Sequence, residues 1–260
     1  MKKEIGLALL ALFFMSLNFL TGAYAEVSDK EKSDGEKLHT VINEEMDVSG
    51  DGKPDMIEIK GVRYEKGSSY LKEIFLEITG SNGKLYRAKL ESGFDPILEF
   101  VDLNHDGVKD MYISIPTGGS GGISNFFLYT LKDFQLTDIG IPDPLMITSE
   151  FQDGYKAVIT IDNINKSYTF DLKDRKEDYE RLGLYQNGKL NEPRELMVDP
   201  YSTLKPVIIK DESNGLRGIQ QVSGAYHADG IAFIESRWFY ENGKWNLVDT
   251  KIMEREKKKK

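Results

Sequence analysis

The sequence predicts an all-β fold built from antiparallel hairpins, and three observations lead to this prediction. Short runs of alternating apolar and polar residues begin near Leu38 and continue along the chain. Turn-forming residues interrupt these runs, and four of the interruptions contain an Asn-Gly pair. One densely charged stretch, Asp174 to Gly183, differs and predicts at most one short surface helix. Alternation with a period of two is typical of half-buried strands, and Asn-Gly suits two-residue hairpin turns.

The hairpin around residues 242–243 has the clearest predicted pairing. A two-residue turn there pairs Tyr240 with Trp245 and Trp238 with Leu247, which places all four side chains on one sheet face. Both tryptophans are therefore predicted to lie in the core. The other predicted strands are Met56–Lys60, Leu71–Thr79, Lys84–Leu90, Ile97–Val101, Met111–Ile115, Asn125–Leu131, Lys156–Ile161 and Ser167–Leu172. The proline-containing segment from Leu184 to Pro206 is predicted to be an irregular connection.

The N-terminus predicts export. Two lysines follow Met1, an apolar run extends from Ile5 to Phe19, and Ala-Tyr-Ala stands at 23–25. This pattern is typical of a secretory signal peptide covering residues 1–25, with an uncleaved N-terminal anchor as the alternative. The charged residues 26–36 read as a flexible lead-in. The predicted location is therefore outside the cell or on its surface.

Composition limits the classes of partner. The chain has a net charge of −9 and no cysteine, so the exported fold must rely on its core and on bound metal rather than on disulfides. An acidic chain argues against nucleic acid as the main partner. The basic tail, residues 254–260, ends in four lysines. It can contact an anionic wall polymer or a membrane surface, or remain a solvated end.

Two Asp-rich loops are the most informative motifs. In each loop, oxygen-bearing side chains occupy positions 1, 3, 5 and 9, and glycine occupies position 6. Position 7 adds a backbone carbonyl. The predicted ligands in the first loop are Asp47, Ser49, Asp51, Lys53 and Asp55. The predicted ligands in the second loop are Asp102, Asn104, Asp106, Val108 and Asp110.

This pattern predicts one or two bound Ca²⁺ ions. Calcium takes six to eight oxygens at about 2.3–2.6 Å, and alternate positions of a tight loop can converge on one point. The alternative is that Asp, Asn and Gly are present only because they favour turns. Helical calcium hands are excluded because both loops lie between predicted strands, and position 12 is Glu58 in one loop and Ile113 in the other. Glu58 is expected to be a strand residue or an optional extra ligand.

A family resemblance follows from the second loop and its surroundings. The loop runs into Met-Tyr-Ile-Ser-Ile at 111–115 and then into Gly-Gly-Ser-Gly-Gly at 118–122, and the first loop is similar. This arrangement resembles the FG-GAP/VCBS-type repeats of extracellular proteins. The resemblance implies calcium loops within four-stranded β-propeller blades. It predicts two such repeats at 37–142, followed by a further antiparallel β region at 143–253 with an irregular connection near 174–206. Partial blades and a β-sandwich both remain open, because a full propeller needs more repeats.

Catalytic motifs are weak. Ser120 lies in a Gly-x-Ser-x-Gly pattern, but the residues after it predict a strand, whereas a hydrolase nucleophile elbow needs a helix there. The three histidines have no metal-ligand spacing, and His105 is expected to point away from its loop. The predicted function is an exported calcium-binding module that acts, without catalysis, in binding outside the cell. The alternative is an extracellular hydrolase of cell-wall or other polymers with structural calcium.

Overall fold

A computed structural model of the chain describes residues 37–119 and 122–255. Within this part, eighteen strands form five open antiparallel sheets, so the predicted all-β class is confirmed. The predicted signal peptide, the lead-in, Ser120 and the four terminal lysines lie outside the described residues. No helix in the described part is long and apolar enough to cross a membrane.

The two Asp loops lie in two similar sheets. Each sheet contains a four-stranded meander in chain order, and each Asp loop joins the first strand of its meander to the second. The first sheet contains β1 (Leu38–Met46), β2 (Asp55–Arg63), β3 (Tyr70–Thr79) and β4 (Leu85–Leu90), with β5 (Gly93–Phe94) paired to β3. The second contains β6 (Ile97–Val101), β7 (Asp110–Pro116), β8 (Ser124–Thr130) and β9 (Thr137–Asp138).

The second sheet is a middle layer with a core on each face. Met111 and Ile113 of β7 pack with Ile57 and Leu76 of the first sheet in one hydrophobic cluster. Tyr112, which points the opposite way, belongs to a second cluster shared with the C-terminal sheets. Burial on both faces explains why β7 reads as a nearly continuous apolar run rather than a clean alternation.

The C-terminal part contains the remaining sheets and the predicted short helix. That helix, α1 (Lys176–Arg181), follows a 3₁₀ turn at Lys173–Arg175. The three-stranded sheet contains β10 (Ile147–Gln152), β11 (Lys156–Ile161) and β12 (Lys166–Asp171), and a small hairpin contains β13 (Tyr185–Gln186) and β14 (Lys189–Leu190). The largest strands, β15 (Met197–Lys210), β16 (Ser213–Ser223), β17 (Gly230–Glu241) and β18 (Lys244–Glu254), form a four-stranded sheet in chain order.

The prediction of an irregular connection up to Pro206 was wrong, because β15 begins at Met197. A proline cannot donate to a strand ladder, but β15 lies at the sheet edge and has β16 as its one neighbour. Pro206 pairs with Leu216, and Pro200 falls at a register shift between Val198 and Tyr201. An edge strand with a bulge tolerates both prolines.

The hairpin at 242–243 has the predicted register. Trp238 pairs with Leu247 and Tyr240 pairs with Trp245. Trp238 is buried in the C-terminal core, and Trp245 packs against the same cluster. The prediction that both tryptophans are core residues is therefore confirmed.

Candidate metal centre

The two Asp loops lie side by side at the same end of the first two sheets. In each loop the position 9 aspartate pairs with the last residue of the preceding strand, Met46 with Asp55 and Val101 with Asp110. A Cβ added to Gly50 would lie 2.8 Å from a Val108 methyl carbon, so the loops are in contact. The predicted ligands are thus brought to one edge of the fold, in two separate loops.

In the first loop, carboxylates accept hydrogen bonds from the loop itself. Asp47 accepts the N–H groups of Gly50 and Gly52 at 2.7 and 2.8 Å. Asp51 accepts the N–H of Lys53 at 2.9 Å and the hydroxyl of Ser81 at 2.6 Å. These bonds, led by the Ser81 hydroxyl, lower the pKa of Asp51. Lys53, predicted to offer its carbonyl to an ion, here contributes its N–H to a carboxylate.

Asp55 completes the first loop from the buried side. Its Oδ2 accepts the N–H groups of Val48 and Ser49 at 3.0 and 2.9 Å, and its Oδ1 accepts the N–H of Ser81 at 2.8 Å. The Ser49 hydroxyl, a predicted ligand, lies 3.4 Å from Asp55 Oδ1. Every carboxylate oxygen of the first loop therefore has a donor from the protein.

The second loop begins in the same way. Asp102 accepts the N–H groups of Asp106 and Gly107 at 3.2 and 3.0 Å. Asn104 accepts the N–H of Asp106 at 3.0 Å and donates its amide to Asp106 Oδ2 at 3.1 Å. The N–H of Val108 donates to Asp106 Oδ1 at 3.0 Å. These bonds hold the predicted ligands close together in a compact turn.

Asp110 distinguishes the second loop from the first. It is fully buried, and its Oδ2 accepts the N–H groups of Leu103 and Asn104 at 2.9 and 3.2 Å. Its Oδ1 is buried with no hydrogen-bond partner. Burial raises the pKa of Asp110 to about 6; the two backbone bonds oppose the rise, and the charges of Asp106 and Asp102 add to it. The second loop therefore holds a carboxylate oxygen that the protein leaves without a donor.

A residue just after the third strand of each sheet accounts for part of this difference between the loops. The methionine near the end of each loop pairs with a residue of the third strand of its sheet. Two residues beyond that partner, the first sheet has Ser81 and the second sheet has Leu131. Ser81 donates both its N–H and its hydroxyl to the first loop. Leu131 has no polar side chain and is buried in the core between the two sheets. The second loop therefore lacks the side-chain donor that Ser81 supplies to the first.

A lysine from the following turn lies beside the second loop. Lys132 Nζ donates to the Asp106 carbonyl at 2.8 Å and lies 3.5 Å from Asp106 Oδ2. Sequence spacing did not reveal this contact, because Lys132 is 26 residues beyond Asp106. The lysine partly neutralises the loop, and an incoming cation would have to compete with it.

The two loops differ in how well their oxygen atoms are placed to bind calcium. In residues 37–119 and 122–255, no group of three or more His, Asp or Glu side chains is placed so that it could hold a metal ion. The carboxylates of both loops are turned onto backbone N–H groups. The second loop nevertheless offers the free Asp110 oxygen near two further carboxylates, whereas the first offers none. The donors present therefore fit a cation better at the second loop.

Glu58 is held on the sheet surface. It accepts the Thr40 hydroxyl at 3.1 Å and pairs with Lys60 at 2.7 Å. The hydrogen bond from Lys60 lowers the pKa of Glu58. These contacts suit the strand-residue interpretation better than a role as an extra ligand.

His105 points out of the second loop and contacts the C-terminal sheet. Its ring stacks on Phe239 with centroids 4.5 Å apart. Its Nδ1 lies 3.1 Å from the Tyr240 carbonyl oxygen, and its Nε2 lies 2.8 Å from that of Asn214. The imidazole therefore contacts both β16 and β17, just beyond the last residues through which these two strands pair. This contact ties the second Asp loop to a sheet more than one hundred residues away in sequence, which local patterns could not predict.

A cleft of about 360 Å³ lies where the second loop meets the C-terminal sheet. It is lined by Asn104, His105, Lys210, Asp211, Ser213, Phe239, Tyr240, Glu241 and Asn242. The lining is mostly polar and carries both signs of charge.

A buried carboxylate lies beside one histidine. Asp199 is 5% exposed, and its Oδ1 lies 3.4 Å from His227 Nδ1. A carboxylate in this position could orient the histidine as a general base, and the sequence pattern did not reveal this pairing.

The glycine-rich turn at 118–122 leads into the strand β8 rather than into a helix, as predicted. The described residues therefore do not form a nucleophile elbow after that turn.

Comparisons with known proteins give a family match in the C-terminal sheets and a relative whose match covers most of the chain. Residues 145–253, which contain β10 to β17 and all of β18 except its last residue, match the family described as the YybI C-terminal domain. The chain is 29% identical over 205 residues to the uncharacterized protein YybI of Bacillus subtilis (strain 168), covering 75% of this chain and 78% of that protein. No solved structure matches the chain. Both Asp loops lie outside the residues that the family model matches, whereas the similarity to the Bacillus subtilis protein covers 75% of the chain and so extends beyond the C-terminal sheets.

Proposed function

We propose that this chain is an exported, calcium-binding β-repeat module that acts by binding another component outside the cell, without catalysis of its own. The observation that carries the calcium proposal is Asp110 Oδ1, buried and without a donor in a loop that also holds Asp102 and Asp106. An unpaired buried carboxylate oxygen is unfavourable, and a cation bound by the loop would satisfy it. Oxygen ligands of this kind suit calcium.

The proposal is for one ion, at the second loop. The first loop needs no cation, because each of its carboxylate oxygens already accepts a hydrogen bond. In the second loop, Asp102, Asn104, Asp106, Asp110 and the Val108 carbonyl would hold the ion. Calcium would replace hydrogen bonds to Asp102 and Asp106 and compete with Lys132, so we expect an affinity in the range of weak extracellular sites, with Kd about 10⁻⁴–10⁻³ M.

Calcium is expected to raise the melting temperature. At about 1 mM calcium and a Kd of about 10⁻⁴ M, one site adds roughly 1.4 kcal/mol to the free energy of unfolding. For a chain of this size that corresponds to a rise of about 3–6 °C. Differential scanning calorimetry with calcium and with chelator measures it.

Two double variants separate the loops. Asp102→Ala with Asp106→Ala is expected to remove the calcium-dependent rise, and Asp47→Ala with Asp51→Ala is expected to keep it. An identical melting temperature of the unmodified protein with calcium and with chelator would exclude the proposed ion.

Export rests on the N-terminal sequence pattern and on the resemblance to repeats of extracellular proteins. Expression in a secreting bacterial host is expected to yield a chain in the medium that starts at Glu26, directly after Ala-Tyr-Ala. Intact-mass measurement of the secreted chain checks the cleavage site. A chain that stays in the membrane fraction with its N-terminus intact would favour the uncleaved anchor instead.

A further inference from the structure

The outer face of the C-terminal sheet carries a row of basic side chains. Leu216 of β16 and Trp238 of β17 are strand partners and belong to the core. Because side chains alternate along a strand, Arg217 and Arg237 point to the opposite face. They are also strand partners, so the two guanidinium groups stand on adjacent strands at the same level.

The row extends over three of the four strands of the sheet. Lys205 of the edge strand β15 pairs with Arg217, and Asp249 of β18 pairs with Arg237. Three cations therefore occupy neighbouring strands that are about 4.8 Å apart. Like charges directly opposite each other destabilise a sheet. Asp249 offsets part of the positive charge of the row, and an anion bound over the face would offset the rest.

Neighbouring levels of the sheet add further basic groups. Lys251 pairs with Glu235, and the Arg255 guanidinium lies 5.5 Å from the centre of the Phe233 ring. Glu235 is already bound by Arg217 at 2.6 Å. The Nε of Arg237 is buried with no hydrogen-bond partner. The acidic groups on this part of the face are thus fewer than the basic groups.

The row is open to solvent except at Arg237, which is half-buried. Lys205 and Lys251 are exposed, and the Arg217 side chain keeps 40% of its surface exposed. This basic surface stands out on a chain whose net charge is −9. In sequence, four lysines follow at 257–260, directly beyond the strand that ends this face. This face of the sheet is therefore basic although the chain as a whole is acidic.

We infer that this face binds a linear polymer that carries phosphate groups. Guanidinium and ammonium groups donate to phosphate oxygens in short, charge-assisted hydrogen bonds. A polymer with closely spaced charges also releases counterions as each phosphate is neutralised, which gives multivalent affinity even to an acidic protein. The inference names a partner for the binding module proposed above and uses a surface different from the Asp loops.

The test is a titration of the full chain with inorganic polyphosphate by isothermal calorimetry at several salt concentrations. Arg217→Gln with Arg237→Gln is expected to weaken binding at least tenfold and to lower the salt slope by about 1 per substitution. Lys205→Gln with Lys251→Gln, at two exposed positions where folding is not at risk, is expected to weaken binding in the same direction. Lys72→Gln with Lys89→Gln, which removes the same charge from exposed positions of the first sheet, is expected to leave binding unchanged.

Three results would overturn the inference. They are no binding of polyphosphate by the unmodified chain, an equal loss in the Lys72 and Lys89 variant, and equally tight binding of polyglutamate, which carries carboxylates instead of phosphates. The Asp102 and Asp106 double variant is expected to keep its polyphosphate affinity. That result keeps a failure of the calcium proposal distinguishable from a failure of this one.

Discussion

Asp229→Ala is expected to lower the free energy of unfolding by about 3–5 kcal/mol, because it leaves a buried arginine without its counter-ion. Arg175, which is 6% exposed, donates to the Asp229 carboxylate and, at 3.0 Å, to the Gly230 carbonyl. Tyr179 donates to Asp229 Oδ2 at 2.6 Å, and the N–H of Ala225 donates to the same oxygen at 3.0 Å. One carboxylate thus joins the helical segment to the β16–β17 loop.

The tyrosine strengthens the expectation. Burial, followed by the hydrogen bond to Asp229, raises the pKa of Tyr179, so its hydroxyl stays protonated and remains a donor. Removal of the carboxylate therefore leaves a buried cation without its counter-ion and, at the same time, a buried hydroxyl without its acceptor. Urea unfolding at neutral pH, in chelator, measures the loss.

The exposed pair on the same helix is a matched control. Arg181 lies 3.2 Å from Asp178, with side chains 71% and 39% exposed. Arg181→Ala is expected to change the free energy of unfolding by no more than about 0.5 kcal/mol. The double change Arg175→Met with Asp229→Leu should recover the part of the lost stability that comes from the unpaired guanidinium, since apolar residues can replace a buried ion pair, while the Tyr179 hydroxyl stays without its acceptor. A cost below about 1 kcal/mol for Asp229→Ala would show that solvent already reaches this network.

Local signals in the sequence predicted many of the strands, but they missed β15 and β16 and did not reveal the contacts between sheets. Alternation and Asn-Gly turns predicted the hairpin of β17 and β18 with its register. The turn between β15 and β16, however, falls at Asp211 and Glu212, both with positive φ, whereas the nearby Asn-Gly pair at 214–215 lies inside β16. Residues that tolerate turns do not always form them, because pairing with a long neighbouring strand can outweigh a local preference.

The prolines of β15 show a second limit. Pro200 and Pro206 predict a break when the chain is considered alone. Whether a strand lies at an edge depends on the order of strands in the sheet, and that order is a property of the whole fold. The ion pair of Arg175 and Asp229 is similar, since its partners are 54 residues apart and neither stands out locally.

The candidate site was predictable in position but not in detail. The spacing of aspartates located both loops, and their placement between strands was correct. The spacing of the oxygen-bearing side chains is the same in both loops, so by itself it predicts nearly equivalent metal sites. The differences come from residues in distant turns: Ser81 donates to the first loop, and Lys132 contacts the second. Packing between neighbouring strands and turns decides which loop keeps an unpaired oxygen.

Asp110→Asn and Asp55→Asn are expected to change the stability of the ion-free protein in opposite directions, although both are the same change at the same loop position. In Asp110→Asn, the amide oxygen can accept the N–H groups of Leu103 and Asn104 that Asp110 Oδ2 accepts now. The amide nitrogen then takes the place of the unpaired Oδ1, and the substitution removes a buried charge. We therefore expect the free energy of unfolding to rise by about 1–3 kcal/mol.

The first loop gives the opposite sign because both of its oxygens have donors. In Asp55→Asn, the amide nitrogen must face either the N–H of Ser81 or those of Val48 and Ser49. The lost bonds are expected to destabilise the protein by about 1–3 kcal/mol. Equal destabilisation by both changes would remove the basis for an ion at the second loop.

The pH dependence gives an independent check on Asp110. Its pKa in the fold, about 6, is above the ordinary value of 3.8 for an aspartate, because burial disfavours the charged form. A raised pKa contributes stability that is fully present below about pH 4 and is lost as the pH rises through about 6. The carboxylates of Asp51, Glu58 and Glu235, whose pKa values are lowered, change stability in the other direction. The informative quantity is therefore the difference between the unmodified protein and Asp110→Asn, measured by urea unfolding at pH 4 and pH 7. In chelator, that difference should grow with pH in favour of the variant; with calcium it should shrink, because a bound cation stabilises the charged form of Asp110.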